Sequence, residues 1–578
     1  MMNWKRGTST RVSTRAALLG SLLSLALGCA KAVLIDGSDP GSSSNGGSTG
    51  TGGGRETGGS TGTGGNGSGT GGNVITGTGG KATGGSTGTG GSSPTGGSTG
   101  TGGRATGGST GTGGGRETGG STGTGGSSTG GSTGTGGTTT SCTITPSASP
   151  SSKIPTVGIV TFTTTLASPT SASIKFGLDT TYGLTAPVDL TQASYRTLLL
   201  GMKASKTYHY QITVTNSTGS CTSSDQMIAT GALPNGIQTL TVTTNNASAL
   251  AGGFLVTGQY SQNAGSSGAP AFILDKDGDY VWWYSVPSAD ATGVAMSYDG
   301  KYMWIATANV PDSSATDHVH RVTMDGLTDT DFTTAFAHHS HQVTPLPDGS
   351  VAFYTTGSNG CDDIKLFPAN GTTTSTATLV VNAKTAHGGS GACHLNNIQY
   401  SPSDDTLVFS DLDNNCLTKV TKTGTAVWVL NGGVSGGPTS SFNNGAIVWK
   451  GGEHGFHILS GDGTDYVLFN NNSKAPAGSG TSWGSAAGDG SGSMAVEVKL
   501  DLTAKTATQT WSYKGTGLDN QVLGDVQRLP NGNTIIDFAT KSTVQEVDSK
   551  GTLLQQIVSG KNFGYIEKRP TLYGPPPR

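Results

Sequence analysis

"HQVTPLPDGSVAFY", His341 to Tyr354, reads as two short strands about a tight turn. Leu346-Pro347-Asp348-Gly349 makes the turn, and Val351, Phe353 and Tyr354 suit a half-buried strand. Similar hairpins recur as "GVAMSYDGKYMWIA" from Gly293, "HLNNIQYSPSDDTLVFS" from His394, "HGFHILSGDGTDYVLFN" from His454 and "GDVQRLPNGNTIID" from Gly524. Between them stands a second hairpin type, in six copies: "AFILDKDGDYVWWY", "HRVTMDGLTDTDF", "IKLFPANGTTTSTATL", "TKVTKTGTAVWVL", "EVKLDLTAKTATQTWSY" and "QEVDSKGTLLQQI". One hairpin of each type makes a four-stranded sheet. Sheets repeated at this spacing predict a six-bladed β-propeller over residues 236–578. Gly252–Tyr260 is left over from the count and is a candidate partial blade.

The rest of the chain divides by composition. Residues 142–235 alternate polar and apolar positions at the length of a small β-sandwich, so the fold class is all-β. Its phrase "TYHYQITV" after "LLLGMKASK" resembles a strand pair of fibronectin type III modules, in which a tyrosine, here Tyr208 or Tyr210, packs under the preceding leucine. Cys142 and Cys221 bracket it; Cys361, Cys393 and Cys416 fall in the propeller, with their pairing open. Upstream, residues 29–141 hold repeats of "GGSTGTGG", which have too few apolar side chains to offset the entropy of ordering. They predict a flexible tether with an r.m.s. span of about 50–60 Å.

Residues 1–28 place Lys5, Arg6, Arg11 and Arg15 before the short apolar run "AALLGSLLSLALG", as in a cleaved secretion signal. The run ends in "LALGC", which resembles a bacterial lipobox with Cys29 as the lipidated residue. The expectation is a lipid anchor in the outer membrane of the cell envelope. Net charge is −3 and basic residues do not cluster beyond the signal, which argues against a nucleic-acid partner.

The chain has 10 histidines, and three occupy equivalent places. His341, His394 and His454 each open the first hairpin of a unit, 53 and then 60 residues apart. First strands of propeller blades line the central channel, so the three imidazoles are expected to converge at one mouth. His338 and His339 are read as loop residues of the same mouth, with His339 as a further substrate contact. Convergent imidazoles serve two chemistries: they can hold zinc or copper, with Asp525 as the one candidate carboxylate, or they can combine a nucleophile with proton carriers. Spacing does not separate the two.

"HLNNIQYSPSDDTLVFS", "EHGFHILSGDGTDYVLFNN" and "GDVQRLPNGNTII" followed by "QEVDSKG" resemble, in order, segments of bacterial arylsulfate sulfotransferases. The resemblance implies transfer of a sulfuryl group from a phenolic sulfate ester to a phenol through a sulfated histidine. It implies no cofactor or metal. Carried over, the nucleophile falls on His454, the supporting histidines on His341 and His394, and a further polar contact on Asn396. The pattern departs at Leu412, where the family keeps a sulfate-binding arginine. Arg528, in "DVQRLPNG", is the candidate replacement. The alternative reading is a non-catalytic, envelope-anchored propeller lipoprotein that binds a ligand or partner.

Overall fold

The computed structural model describes residues 142–576 except 262–267, 288, 308–316, 358, 390–391, 433–437, 445–446, 448, 450–451, 473–491 and 521. The secretion signal, Cys29 and the tether lie outside the described residues. Within them the chain is nearly all-β, and the one α-helix is the short Ala383–His387. No helix among them is long and apolar enough to cross a membrane.

Two antiparallel sheets form the N-terminal part. Ile144–Pro150, Gly158–Thr164 and Thr197–Leu199 face a second sheet of Leu184–Pro187, Ser171–Gly177, Thr207–Asn216, Gly219–Thr222 and Gln226–Ala229. Alternation along Thr207–Asn216 sends Tyr208, Tyr210, Ile212 and Val214 into one core with Leu199, Phe162 and Phe176. The Tyr208 hydroxyl accepts a bond from the Lys203 N–H (2.9 Å), and a disulfide joins Cys142 to Cys221.

Six sheets of four or five strands follow among the described residues, in a β-propeller-like succession. The second to fifth are consecutive: Ala291–Met296 to Asp329–Asp331, Thr344–Pro345 to Thr378–Asn382, Leu395–Ser401 to Ala426–Asn431, and Glu453–Ile458 to Thr506–Tyr513. Their strands are the hairpins expected from the sequence. Gly252–Tyr260 proves to be no separate unit. Phe254–Tyr260 pairs with Ala271–Asp275 on one side and with Asn562–Phe563 and Glu567–Arg569 on the other, which completes the first sheet. Thr241–Thr244 in turn adds to Leu553–Val558 as the outer strand of the sixth.

The sandwich is joined to the first two sheets. Ile154, Val157 and Leu200 share a core with Phe254, Trp282, Val322 and Met324. Burying each such aliphatic side chain contributes about 1.5–3 kcal/mol. Polar ties fix the contact: Thr156 Oγ1 donates to the Val281 carbonyl (2.7 Å), Ser151 Oγ to that of Asp325 (2.6 Å), and the Tyr573 hydroxyl bridges Leu198 and Leu200.

Candidate active site

His454 lies in the opening strand of the fifth sheet and is 4% exposed. Its Nδ1 is 2.6 Å from Asn471 Oδ1. The Asn471 amide cannot be turned round, because its Nδ2 already donates to the carbonyls of Asn520 (3.0 Å) and Leu523 (2.8 Å). An amide oxygen only accepts, so His454 carries its proton on Nδ1 and its lone pair on Nε2. Burial, then the charge of His394, holds its pKa down at about 3. At neutral pH the ring is therefore uncharged.

His394 directly precedes Leu395–Ser401 and follows Cys393, which is disulfide-bonded to Cys361. Its N–H donates to Asp411 Oδ1 (3.1 Å), and its carbonyl accepts from the Leu412 N–H (2.9 Å). Asp411 is wholly buried; its other oxygen is 3.0 Å from His387 Nε2 and accepts from Asn414. Asp362 accepts from the Leu395 N–H, and burial pushes its pKa up to about 7. Asp362 and Asp413 both interact with His394, and burial holds Glu453, next to His454, well above the usual carboxylate range.

His341 stands three residues before Thr344–Pro345, with φ at +55° and Nδ1 2.6 Å from Ser340 Oγ. Its backbone passes so close to Gly293 that a Cβ there would lie 2.4 Å from the His341 carbonyl. Burial and the neighbouring His394 and His454 hold its pKa well down. Its ring centroid is 5.6 Å from that of His394, 6.4 Å from that of His454 and 6.4 Å from Tyr565. The three histidines from successive sheets thus meet, as their spacing predicts. Their nitrogens do not converge as a set within the 4.8 Å that a shared ion would need.

The other expected residues fare differently. Asn396 is buried beside the cluster, but its Nδ2 donates to the Glu453 carbonyl (2.6 Å) and its Oδ1 has no partner; it ties two inner strands together. His339 is buried and interacts with His341. Its ring interacts with the Phe336 and Thr307 carbonyls, and burial lowers its pKa to about 4. His338 is exposed. Arg528 requires a correction. Its guanidinium bonds to Glu497, Thr534 and the Gly532 carbonyl and lies 4.6 Å over the Trp511 ring. It is spent on the third and fourth strands of the fifth sheet and on its own hairpin, and Leu412 is itself buried. Nor does Asp525 join the histidines: it packs on Gly455, and its oxygens accept from Val526 and Ile566.

Beyond the cluster, the inner strands enclose a cavity of about 270 Å³ lined by Met296, Gln342, Asn397, His457, Asp525 and Tyr565, among others. None of the three histidines lines it. Tyr565 stands between the two regions, its hydroxyl donating to the Asn396 carbonyl (2.6 Å). Sequence reasoning missed Tyr565, Asn471 and Asp411; the Asn-Asn run after "YVLF" was the one visible signal for Asn471.

Residues 366–564 match the family model described as Arylsulfotransferase (ASST). That segment belongs to the arylsulfotransferase family. The arylsulfotransferase segment includes His394, His454, Asn471 and Tyr565, while His341 lies ahead of it. Among curated proteins none matches the chain. Of solved structures, TolB from Acinetobacter baumannii is similar at 12% identity over 64% of this chain and 79% of its own, with a TM-score of 0.35. The β-propeller domain of Myceliophteria thermophila Cps50 (Swd1) is similar at 10% identity over 57% and 93%, with a TM-score of 0.34. Both likenesses are loose, and no functional argument rests on them.

Proposed function

We propose that the chain is an arylsulfotransferase-like enzyme, a six-bladed propeller behind a fibronectin type III-like sandwich, that moves a sulfuryl group between phenols through His454. The observation that carries this reading is the meeting of His341, His394 and His454 around a His454 whose free lone pair is on Nε2. In the first half-reaction Nε2 attacks the sulfur of a phenolic sulfate ester. The sulfur–oxygen bond to the aryl group breaks, and the phenolate leaves with the electron pair. In the second half a phenol oxygen attacks the same sulfur, its proton passes to a neighbouring imidazole, and the nitrogen–sulfur pair returns to Nε2. His394, which interacts with Asp362 and Asp413, is the imidazole suited to carry a proton to the leaving phenolate. Incubation with 4-nitrophenyl sulfate and phenol tests the proposal: nitrophenolate release should depend on phenol and be lost in His454→Ala. Full activity in that variant rejects the assignment.

Leu412 favours a second reading, a propeller that binds without reacting, because a leucine stands where the family keeps its sulfate-binding arginine and Arg528 is engaged elsewhere. Sustained turnover of any aryl sulfate excludes it. We place the protein at the cell envelope, anchored to the outer membrane through a lipid on Cys29. Cys29→Ser should release it from the membrane fraction or leave its signal uncleaved; membrane retention with a processed N-terminus rejects the anchor.

A further inference from the structure

A second group of histidines lies outside the channel, on the second sheet. His318 directly precedes the Val319–Thr323 strand and His320 lies in it, two residues on, so their side chains share a face, and their ring centroids are 6.0 Å apart. Val319 between them and Arg321 after them turn to the other face, where Arg321 lies 4.8 Å from the Tyr302 and Phe332 ring centroids. Directly across from His320 in the ladder is Asp331. One ring nitrogen of each histidine and a carboxylate oxygen of Asp331 all lie within 4.8 Å of one another.

The surrounding bonds decide which nitrogens are available. His320 Nδ1 is 2.7 Å from Asp329 Oδ1, and His318 Nδ1 is 3.1 Å from Thr333 Oγ1. A carboxylate accepts, so His320 is protonated on Nδ1 and its lone pair is on Nε2. With Thr333 accepting in the same way, both rings keep their lone pair on Nε2. Among the described residues neither Nε2 makes a hydrogen bond. Asp331 takes a bond from the Thr333 N–H on Oδ1 (2.8 Å) and is exposed, so its carboxylate is free to swing. An orienting carboxylate behind a histidine whose other nitrogen is free is the arrangement that metal-binding histidines use.

We propose that His318, His320 and Asp331 form a binding site for a divalent zinc-class metal ion, with Asp329 and Thr333 orienting the two rings. Two imidazoles and one carboxylate make a borderline nitrogen–oxygen donor set, which suits Zn2+, Cu2+ or Ni2+ and disfavours Mg2+ and Ca2+. Metal–ligand bonds of about 2.0–2.2 Å require the donors to close by about an ångström, which rotation of Asp331 supplies. The remaining positions are open to water. Such an ion would staple the short outer strand Asp329–Asp331 to its neighbour.

The test uses full-length protein made without a histidine tag, stripped with chelator and titrated with ZnCl2 in equilibrium dialysis. One equivalent should bind, and His318→Ala or His320→Ala should lose it. Asp329→Asn should weaken it by about 10- to 100-fold. Asp331→Asn changes an exposed side chain, so the fold survives and this variant decides the matter if the histidine variants do not fold; it too should weaken zinc by at least about 10-fold. Binding of less than about one-tenth of an equivalent overturns the proposal. So does an equivalent that persists in Asp331→Asn and disappears in His394→Ala, which would move the ion to the channel.

Discussion

Asp525 packs against the backbone of Gly455, and burial pushes its pKa up to about 7. Its ordinary value is 3.8. Because the folded value is the higher one, its stabilising contribution is complete below about pH 4 and is lost as the pH rises through 7. Asp525→Asn does not titrate. The stability of the wild type relative to this variant should therefore fall between pH 4 and 7, by up to about 4 kcal/mol, and then level off, as denaturant melts at each pH will show. His454 titrates in the other sense. With its pKa at about 3, the proposed nucleophile stays uncharged to acid pH, so His454 should contribute no limb to kcat/KM near 6.5, the ordinary histidine value. Asn471→Leu frees the ring to turn and to change tautomer; kcat should fall about 100-fold with KM little changed. The three channel histidines were legible because they recur at one position in successive units. Tyr565 carries no such mark, and the asparagine run after "YVLF" does not say which of Asn470, Asn471 and Asn472 turns to the histidine. Arg528 misled for a geometric reason: its side chain runs toward the fifth sheet, where Glu497 and Trp511 hold it, and linear spacing does not reveal that direction.

The two disulfides act on different elements and should separate cleanly in experiment. Cys361–Cys393 ties the residue before Asp362 to the residue before His394. Cys142–Cys221 closes the sandwich. Removing either should cost about 2–4 kcal/mol. The double variant Cys361→Ser/Cys393→Ser should also lose about 10-fold or more in turnover, because His394 is no longer fixed. Cys142→Ser/Cys221→Ser should melt earlier yet turn over at the wild-type rate when assayed below its melting temperature. The hairpins were readable from strand alternation about Gly- and Asp-marked turns, and all eleven quoted segments form paired strands. Cysteine pairing was not readable, because it depends on which hairpins become neighbours.

The first and sixth sheets are each completed by a strand from far away in sequence: Glu567–Arg569 joins Phe254–Tyr260, and Thr241–Thr244 joins Leu553–Val558. Truncation after Gly560 should therefore abolish the cooperative melt of the entire ring rather than trim one edge, a difference that calorimetry distinguishes. The local pattern around Phe254–Tyr260 could not announce this, since the partners on its second edge lie some three hundred residues on. The same feature sets an order of events during synthesis. The ribosome delivers the sandwich first, and all of its strands have emerged by Ala229. The sheet that follows it is among the earliest made and among the last to be finished, because Phe254–Tyr260 keeps an unpaired edge until Glu567–Arg569 is released. For most of its translation the chain presents that edge to whatever strand comes near, which makes it a natural point of engagement for chaperones.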